Sequence, residues 1–307
     1  MKRGINIELP RIVLMVNRTF RTRPIFLFYI VALYILMKWC SHVQPNLSDI
    51  YLYRRRTSKH FLLYNFTMLP DLELCKKTER RIPLIVVTVL SVANDYKKRL
   101  AIRRSWASPM NSKEIKRGRV VVFFILSIPS WDNPRQLKEL LEEQYRYRDL
   151  IATDLTDSYE NLVQKVHACM TFHMQFCPSV PFLLKVDDDV AVHPDRLVAS
   201  WIWEPGSLRR LYCSVHYNTA PIRDPYNKWF VSKNVWPFKN YPPYCNGPFY
   251  VMGNETVKEI AETSLYFAPF VMEAGLGTAS GCCEALGYRI KRSPGAPFGK
   301  PLSPRFC

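Results

Sequence analysis

The segment Phe182-Leu183-Leu184-Lys185-Val186-Asp187-Asp188-Asp189-Val190 sets three consecutive carboxylates at the end of an apolar run. Adjacent carboxylates repel one another unless a cation or basic groups compensate. Hard divalent ions such as Mg²⁺ and Mn²⁺ prefer carboxylate oxygens, and often bind through one or two of them together with phosphate oxygens of a substrate. Side chains at i and i+2 of an extended chain point the same way, so Asp187 and Asp189 can address one site while Asp188 points elsewhere. The rival reading is a solvent-exposed acidic turn. Placement directly after a strand-like run favours a metal–diphosphate site.

The elements that must position these carboxylates are legible as alternating strands and helices from residue 81 onward. Ile82–Val92 is a β-branched run of the kind buried on both faces of a sheet. Tyr96–Ser108 reads as a helix with Leu100, Ile102 and Trp106 as its apolar positions, and Val120–Ile128 as a second buried strand. Pro134–Tyr147 is a charged helix with proline near its start and Leu137, Leu140 and Leu141 at helical spacing. Asp157-x-x-Glu160 suggests a capping box opening a helix to about Phe176, and Phe182–Val186 is a short buried strand. This order predicts an α/β domain with a mainly parallel central sheet, whose ligands gather outside the carboxyl ends of the strands.

The amino-terminal part is different. Ile25–Met37 is an uncharged apolar run, preceded by Arg18, Arg21 and Arg23 and followed by Lys38 as the only nearby charge. With its flanks it reaches the lower edge of what spans a bilayer as a helix. The charge asymmetry puts the amino terminus in the cytosol and everything after residue 40 on the other side. The sequence after the run poorly matches a cleavage site, so the expectation is an uncleaved transmembrane helix at 25–40 behind a cytosolic tail at 1–24. Residues 41–80 are polar and basic without sustained periodicity and read as a stem, leaving 81–307 as the lumenal domain.

Net charge is +17, with hydrophobic residues at 48% and aromatic residues at 13%, which supplies a full core and excludes general disorder. Residues 1–60 contribute +9 of that charge, so much of the excess reports topology and stem. The remaining basic residues are spread among acidic ones, which argues against a nucleic-acid partner. Eight cysteines lie beyond Cys40, and an oxidising lumen would allow disulfides among them, with connectivity left open. Asn46-Leu47-Ser48, Asn65-Phe66-Thr67 and Asn254-Glu255-Thr256 are glycosylation acceptor patterns on the same side, and Asn17-Arg18-Thr19 would be cytosolic and silent.

Several segments carry a resemblance. Lys185-Val186-Asp187-Asp188-Asp189 resembles the DxD motif, in its DDD form, of the β-1,3-glycosyltransferase family that includes β-1,3-galactosyltransferases (glycosyltransferase family 31 type). Arg99-Leu-Ala-Ile-Arg103-Arg-Ser-Trp106 and Asp149-Leu-Ile-x-x-Asp154-x-x-Asp157-Ser-Tyr159-x-Asn161-Leu-x-x-Lys165 resemble further segments of that family. So do Pro221-Ile-Arg223-Asp, Lys228-Trp-x-x-Ser232 and Tyr241-Pro-Pro-Tyr244-Cys-x-Gly247-Pro-x-Tyr250-Val, in the same order along the chain.

The resemblance implies a GT-A type nucleotide-sugar-binding domain, a UDP-sugar donor, Mn²⁺, and inverting transfer of a hexose, galactose in preference, to a glycan acceptor on a glycoprotein or glycolipid. It also implies a type II protein of the Golgi membrane. Asp189 is then the expected direct metal ligand, with Asp187 on the metal-bound water or the donor ribose and Asp188 beside the donor. Arg103 and Lys165 are expected to contact the donor or the aspartates. Tyr241, Tyr244 and Gly247 are expected to shape the acceptor and donor pocket, whereas Trp106 and Tyr159 read as core. Two departures stand out. The family's late acidic motif has an aspartate as base where this chain has Ala274, leaving Glu273 as the candidate base. No histidine follows His216 to act as a further metal ligand. The alternative is therefore a weakened or inactive member that still binds UDP-sugar or glycan.

Overall fold

The computed structural model describes residues 64–78, 81–128, 133–159, 161–199, 204–264 and 289–292. The apolar run at 25–40, the basic tail before it, Glu273 and Ala274 lie outside the described residues. Among the described residues no helix is long and apolar enough to cross a membrane.

Among the described residues eight strands form one sheet: β1 (Phe66–Met68), β2 (Ile85–Leu90), β3 (Val120–Ser127), β4 (Leu150–Thr153), β5 (Phe182–Asp187), β6 (Arg210–His216), β7 (Tyr244–Gly253) and β8 (Arg289–Arg292). Their spatial order is β1-β4-β3-β2-β5-β7-β6-β8. The central four, β4-β3-β2-β5, are parallel, β1 and β7 run against their neighbours, and β6 is antiparallel to β7 and parallel to β8. The helices are α1 (Tyr96–Arg104), α2 (Lys113–Lys116), α3 (Pro134–Tyr147), α4 (Leu162–Phe176), α5 (Pro194–Ala199) and α6 (Asn254–Ser264).

Strand alternation divides the core in two. Val86, Phe123, Ile125, Ile151 and Leu183 meet Val166, Met170 and Phe172 of α4 and Val257 and Ile260 of α6. Ile85, Val87, Val89, Phe124, Leu126 and Leu184 meet Ile102 of α1, Leu140 of α3 and Leu197 of α5. Both faces of the central strands are therefore covered, and every residue of β2 is buried.

The α/β class and the parallel centre agree with the sequence expectation. Three local expectations need correction. First, the strand β4 was absent from the expected order; four residues, all buried, are too few to show a periodicity. Second, α4 opens at Leu162 and not at Asp157, and Glu160, the other half of the expected capping box, lies outside the described residues. Asn161 occupies the N-cap without a side-chain hydrogen bond, and the Asp157 carboxylate instead meets Lys165. Third, the folded unit begins before residue 81. β1 pairs with β4, Tyr64 and Phe66 pack on the α4 face, and Cys75 is disulfide-bonded to Cys177. The second disulfide, Cys213–Cys245, ties β6 to β7, and Cys169 of α4 is buried.

The two bridges close loops of different length, with sequence separations of 102 and 32. If chain entropy governs, their removal has unequal effects. Replacing Cys75 and Cys177 together by serine is expected to cost about 1 kcal/mol more than replacing Cys213 and Cys245 together. Chemical denaturation of the two double variants measures that difference.

Candidate active site at the sheet switch point

From β2 the chain crosses to β3 on one side, and later returns as β5 on the other side of β2. The carboxyl ends of β2 and β5 therefore bracket a topological switch point, where α/β sheets bind ligands. Leu90, the last residue of β2, lies directly opposite Asp187, the last of β5.

Asp187 is paired from within its own strand. Lys185, 0% exposed, sends its ammonium 2.6 Å from Asp187 Oδ1 and 2.9 Å from the Gly247 carbonyl, with the Tyr250 ring centroid at 5.6 Å. Burial raises the Asp187 pKa, Lys185 opposes the rise, and the like charges of Asp189 and Asp188 add to it. The chain then turns: the Val190 N–H donates to the Asp187 carbonyl at 3.2 Å. Asp188 and Asp189 thus sit in a turn, and the i, i+2 alternation expected of extended chain ends at Asp187. Asp188 still points elsewhere, to Lys98 of α1 at 3.1 Å. Lys98 is also 2.9 Å from Asp95; these two carboxylates, Asp95 foremost, push its pKa up to about 12. Asp189 is exposed, and among the described residues it has no lysine or arginine partner.

Lys165 of α4 reaches the same edge. Its ammonium donates to the Ser91 carbonyl at 2.7 Å and lies 3.3 Å from Asp157. Burial lowers its pKa, while Asp157 and, more remotely, Asp188 hold it up. Its direct partners are thus the Ser91 carbonyl and Asp157, and not Asp187–Asp189.

Arg103 is where the expectation fails. It lies on the last turn of α1, away from the carboxyl edge, with Nε and Nη2 each 2.8 Å from Asp149 and Nη2 2.7 Å from Glu143. Its guanidinium is 4.0 Å from the Tyr147 ring centroid and 4.7 Å from that of Phe124. It is an internal ion-pair residue and not a donor contact. The residue that matters one turn earlier is Arg99, 0% exposed. It bonds both Glu143 oxygens at 2.8 and 2.7 Å, the Val92 carbonyl at 2.6 Å, the Ala93 carbonyl at 3.0 Å and Ser91 Oγ at 3.3 Å. Arg99 therefore fixes the loop after β2, the other wall of the switch point. An arginine on an otherwise apolar helix face was the available signal.

On the β7 side, Gly247 is beside the acidic group through its bond with Lys185. Tyr244 is half-buried and stacks on His216 at 5.2 Å. Tyr241 is buried in a small cluster with Val231 and Trp236, so it supports the 217–241 lobe from inside rather than lining a pocket. Arg223 holds that lobe by donating to the carbonyls of Val231, Trp236 and Phe238. Tyr159, expected in the core, is exposed with the Lys228 ammonium 5.3 Å from its ring centroid; Trp106 packs partly buried on the α1 face.

No group of three or more His, Cys, Asp or Glu side chains able to hold a metal occurs among the described residues. The donor set is instead two neighbouring carboxylates, Asp187 and Asp189, with the charge of one raising the pKa of the other. That set fits a hard divalent ion whose remaining ligands come from water and substrate phosphates.

Comparison with known proteins follows this geometry. The pattern described as galactosyltransferase matches residues 97–276. Beta-1,3-galactosyltransferase 5 of Pan paniscus is 30% identical over 242 residues, 79% of this chain and 77% of that protein. Its Homo sapiens counterpart is 30% identical over 245 residues, 79% and 74% of the two chains. Beta-1,3-galactosyltransferase 1 of Mus musculus is 31% identical over 191 residues, 62% and 57% of the two chains. Among solved structures, an apo WbbM bifunctional glycosyltransferase overlaps 71% of this chain and 39% of that one at 10% identity. Its TM-score of 0.39 is too low to carry an argument.

Glu143 serves two buried arginines, so Glu143→Gln strands charge in the interior. The expected loss of unfolding free energy is about 3–5 kcal/mol. The exposed pair Arg135–Glu139 on the same helix supplies the control, since Glu139→Gln should leave the denaturation midpoint unmoved. Equal midpoints for the two variants would refute the structural weight placed on the Arg99–Glu143–Arg103 group.

Proposed function

Since this chain belongs to the galactosyltransferase family, we propose that it transfers a hexose, galactose in our reading, from a UDP-sugar to a glycan on a glycoprotein or glycolipid. The linkage formed is β1,3, with inversion at the transferred sugar. The observation that carries this reading is the acidic turn Asp187–Asp189 at the carboxyl end of β5, directly across from the end of β2. In a GT-A type domain this is where a nucleotide-sugar diphosphate sits.

Asp187 and Asp189 are the residues that would hold Mn²⁺, which when bound neutralises charge on the donor diphosphate and on the departing UDP. The chain's own part is positional. Lys185 orients Asp187 and ties it to Gly247 of β7, while Lys98 draws Asp188 aside. Arg99 and Lys165 fix the backbone of Ser91–Ala93, so both walls of the crevice are set before any ligand enters. Glu273 is the carboxylate we assign as base for the acceptor hydroxyl. The basic leader, apolar run and stem support our reading of a type II Golgi membrane protein with this domain in the lumen. A second reading follows from Ala274: a member with weakened turnover that retains donor or glycan binding.

UDP release by the detergent-solubilised full chain, with Mn²⁺ and a panel of UDP-sugars, tests the first reading. Asp189→Ala should lower turnover by about a hundredfold or more, the scale of a lost metal ligand. Asp188→Asn, whose carboxylate serves Lys98, should fall far less. Glu273→Gln should abolish turnover, and Ala274→Asp should raise it. UDP binding without turnover on any donor, with turnover appearing in Ala274→Asp, would establish the weakened member instead.

A further inference from the structure

Two of the chain's Asn-x-Ser/Thr tripeptides lie among the described residues, and the fold treats them oppositely. Asn65-Phe66-Thr67 runs into β1, among the described residues the outermost strand on its side of the sheet. Asn65 and Thr67 are exposed, while Phe66 between them turns inward onto Phe172 and Phe176, with ring centroids 6.2 and 5.7 Å away. Asn65 is also held in place. Asp154 accepts its backbone N–H at 2.7 Å and its Nδ2 at 2.8 Å, and the Asp154 N–H donates to the Asn65 carbonyl at 3.2 Å. An amide substituted on Nδ2 keeps one N–H, enough to retain the side-chain bond to Asp154.

Asn254-Glu255-Thr256 opens α6, with Asn254 half-buried, Glu255 exposed and Thr256 buried. The Asn254 N–H donates to the Pro181 carbonyl at 2.8 Å, and its side-chain oxygen is buried. Thr256 is 0% exposed and its hydroxyl donates to the Leu208 carbonyl at 3.4 Å. Gly253, just before it, lies so near Leu208 that an added Cβ would fall 2.3 Å from that carbonyl oxygen. A branched oligosaccharide on Asn254 would crowd the close-packed contact of Gly253 and Thr256 with Leu208 that seats the start of α6.

We propose that Asn65 is an N-glycosylation site whose oligosaccharide shields the open edge of β1, and that Asn254 stays unmodified in the folded protein. The proposal rests on the lumenal orientation proposed above. The co-substrate is a polyprenyl-diphosphate-linked oligosaccharide. The Asn65 amide nitrogen bonds to the anomeric carbon of the first sugar, the anomeric carbon–phosphate oxygen bond breaks, one amide proton goes to solvent, and the polyprenyl diphosphate leaves. Two constraints favour this position. An exposed edge strand offers unpaired backbone groups to other chains, and a bulky polar glycan blocks that approach. The edge is also remote from the crevice, since β4 and β3 separate β1 from β2.

The test is expression of the full chain in cultured animal cells, followed by peptide-N-glycosidase treatment and gel mobility. Asn65→Gln and Thr67→Ala should each lose one glycan step, and Asn254→Gln should lose none. Thr67→Ala leaves the Asn65–Asp154 bonds intact, so a folding defect in Asn65→Gln does not obscure the result. A glycosylated chain whose mobility is unchanged in both Asn65→Gln and Thr67→Ala overturns the Asn65 assignment. Loss of a step in Asn254→Gln overturns the argument that Asn254 stays unmodified. Protease protection in sealed microsomes separates the remaining failures. A protected domain carrying no glycan overturns the site alone, and an accessible domain overturns the orientation and the site together.

Discussion

A carboxylate at the end of a fully buried strand needs a fixed counter-charge, and Lys185 supplies it. An unpaired charge in such surroundings costs several kcal/mol. The ammonium is entirely buried two residues before Asp187 on the same strand, and it also takes the Gly247 carbonyl. One side chain thus compensates the acidic turn and joins β5 to its antiparallel neighbour β7. The region beyond β7, including the disulfide to β6 and the lobe at 217–241, is built outward from that junction.

The opposite wall follows the same logic with the signs arranged differently. The loop after β2 presents carbonyl oxygens to two buried cations, Arg99 from α1 and Lys165 from α4, which approach from the two faces of the sheet. Arg99 in turn depends on Glu143 of α3, which it shares with Arg103. Side chains from three helices are therefore committed to a loop of three residues. Such investment in irregular backbone is what a preorganised binding wall requires, because buried carbonyls must find partners whether or not a ligand is present.

Much of the fold was legible in the sequence, since β2 and β3 are apolar runs rich in β-branched residues, β5 is a short apolar run ending in carboxylates, and α3 carries a proline start with helical spacing. The short strands β1 and β4 were not, because three or four residues cannot display a period and their burial is decided by partners elsewhere. Among site residues, the acidic triplet was legible from type and position alone. Arg103 was misread because an arginine in a motif announces its charge and not its partner. Whether it meets a ligand or Asp149 depends on which turn of α1 faces the strand ends, which only the tertiary structure decides. Asp157 shows the converse: its spacing fits a helix cap, yet a buried lysine one turn into the helix is the stronger claimant for its charge.

Charge at the crevice completes the argument for how a donor can enter. The ion pairs there involve Asp95, Asp157, Asp187 and Asp188 with Lys98, Lys165 and Lys185, and Asp189 adds a further carboxylate. Each of the three lysines is already engaged, and carboxylates outnumber them. Among the described residues at this edge, then, negative charge exceeds positive, and a nucleotide diphosphate brought there is repelled more strongly as water is excluded. The overall positive charge of the chain does not relieve this, because much of it lies in the first 60 residues. A bound divalent cation would offset that repulsion, and Asp189, exposed and with no lysine or arginine partner among the described residues, is the carboxylate best placed to help hold it.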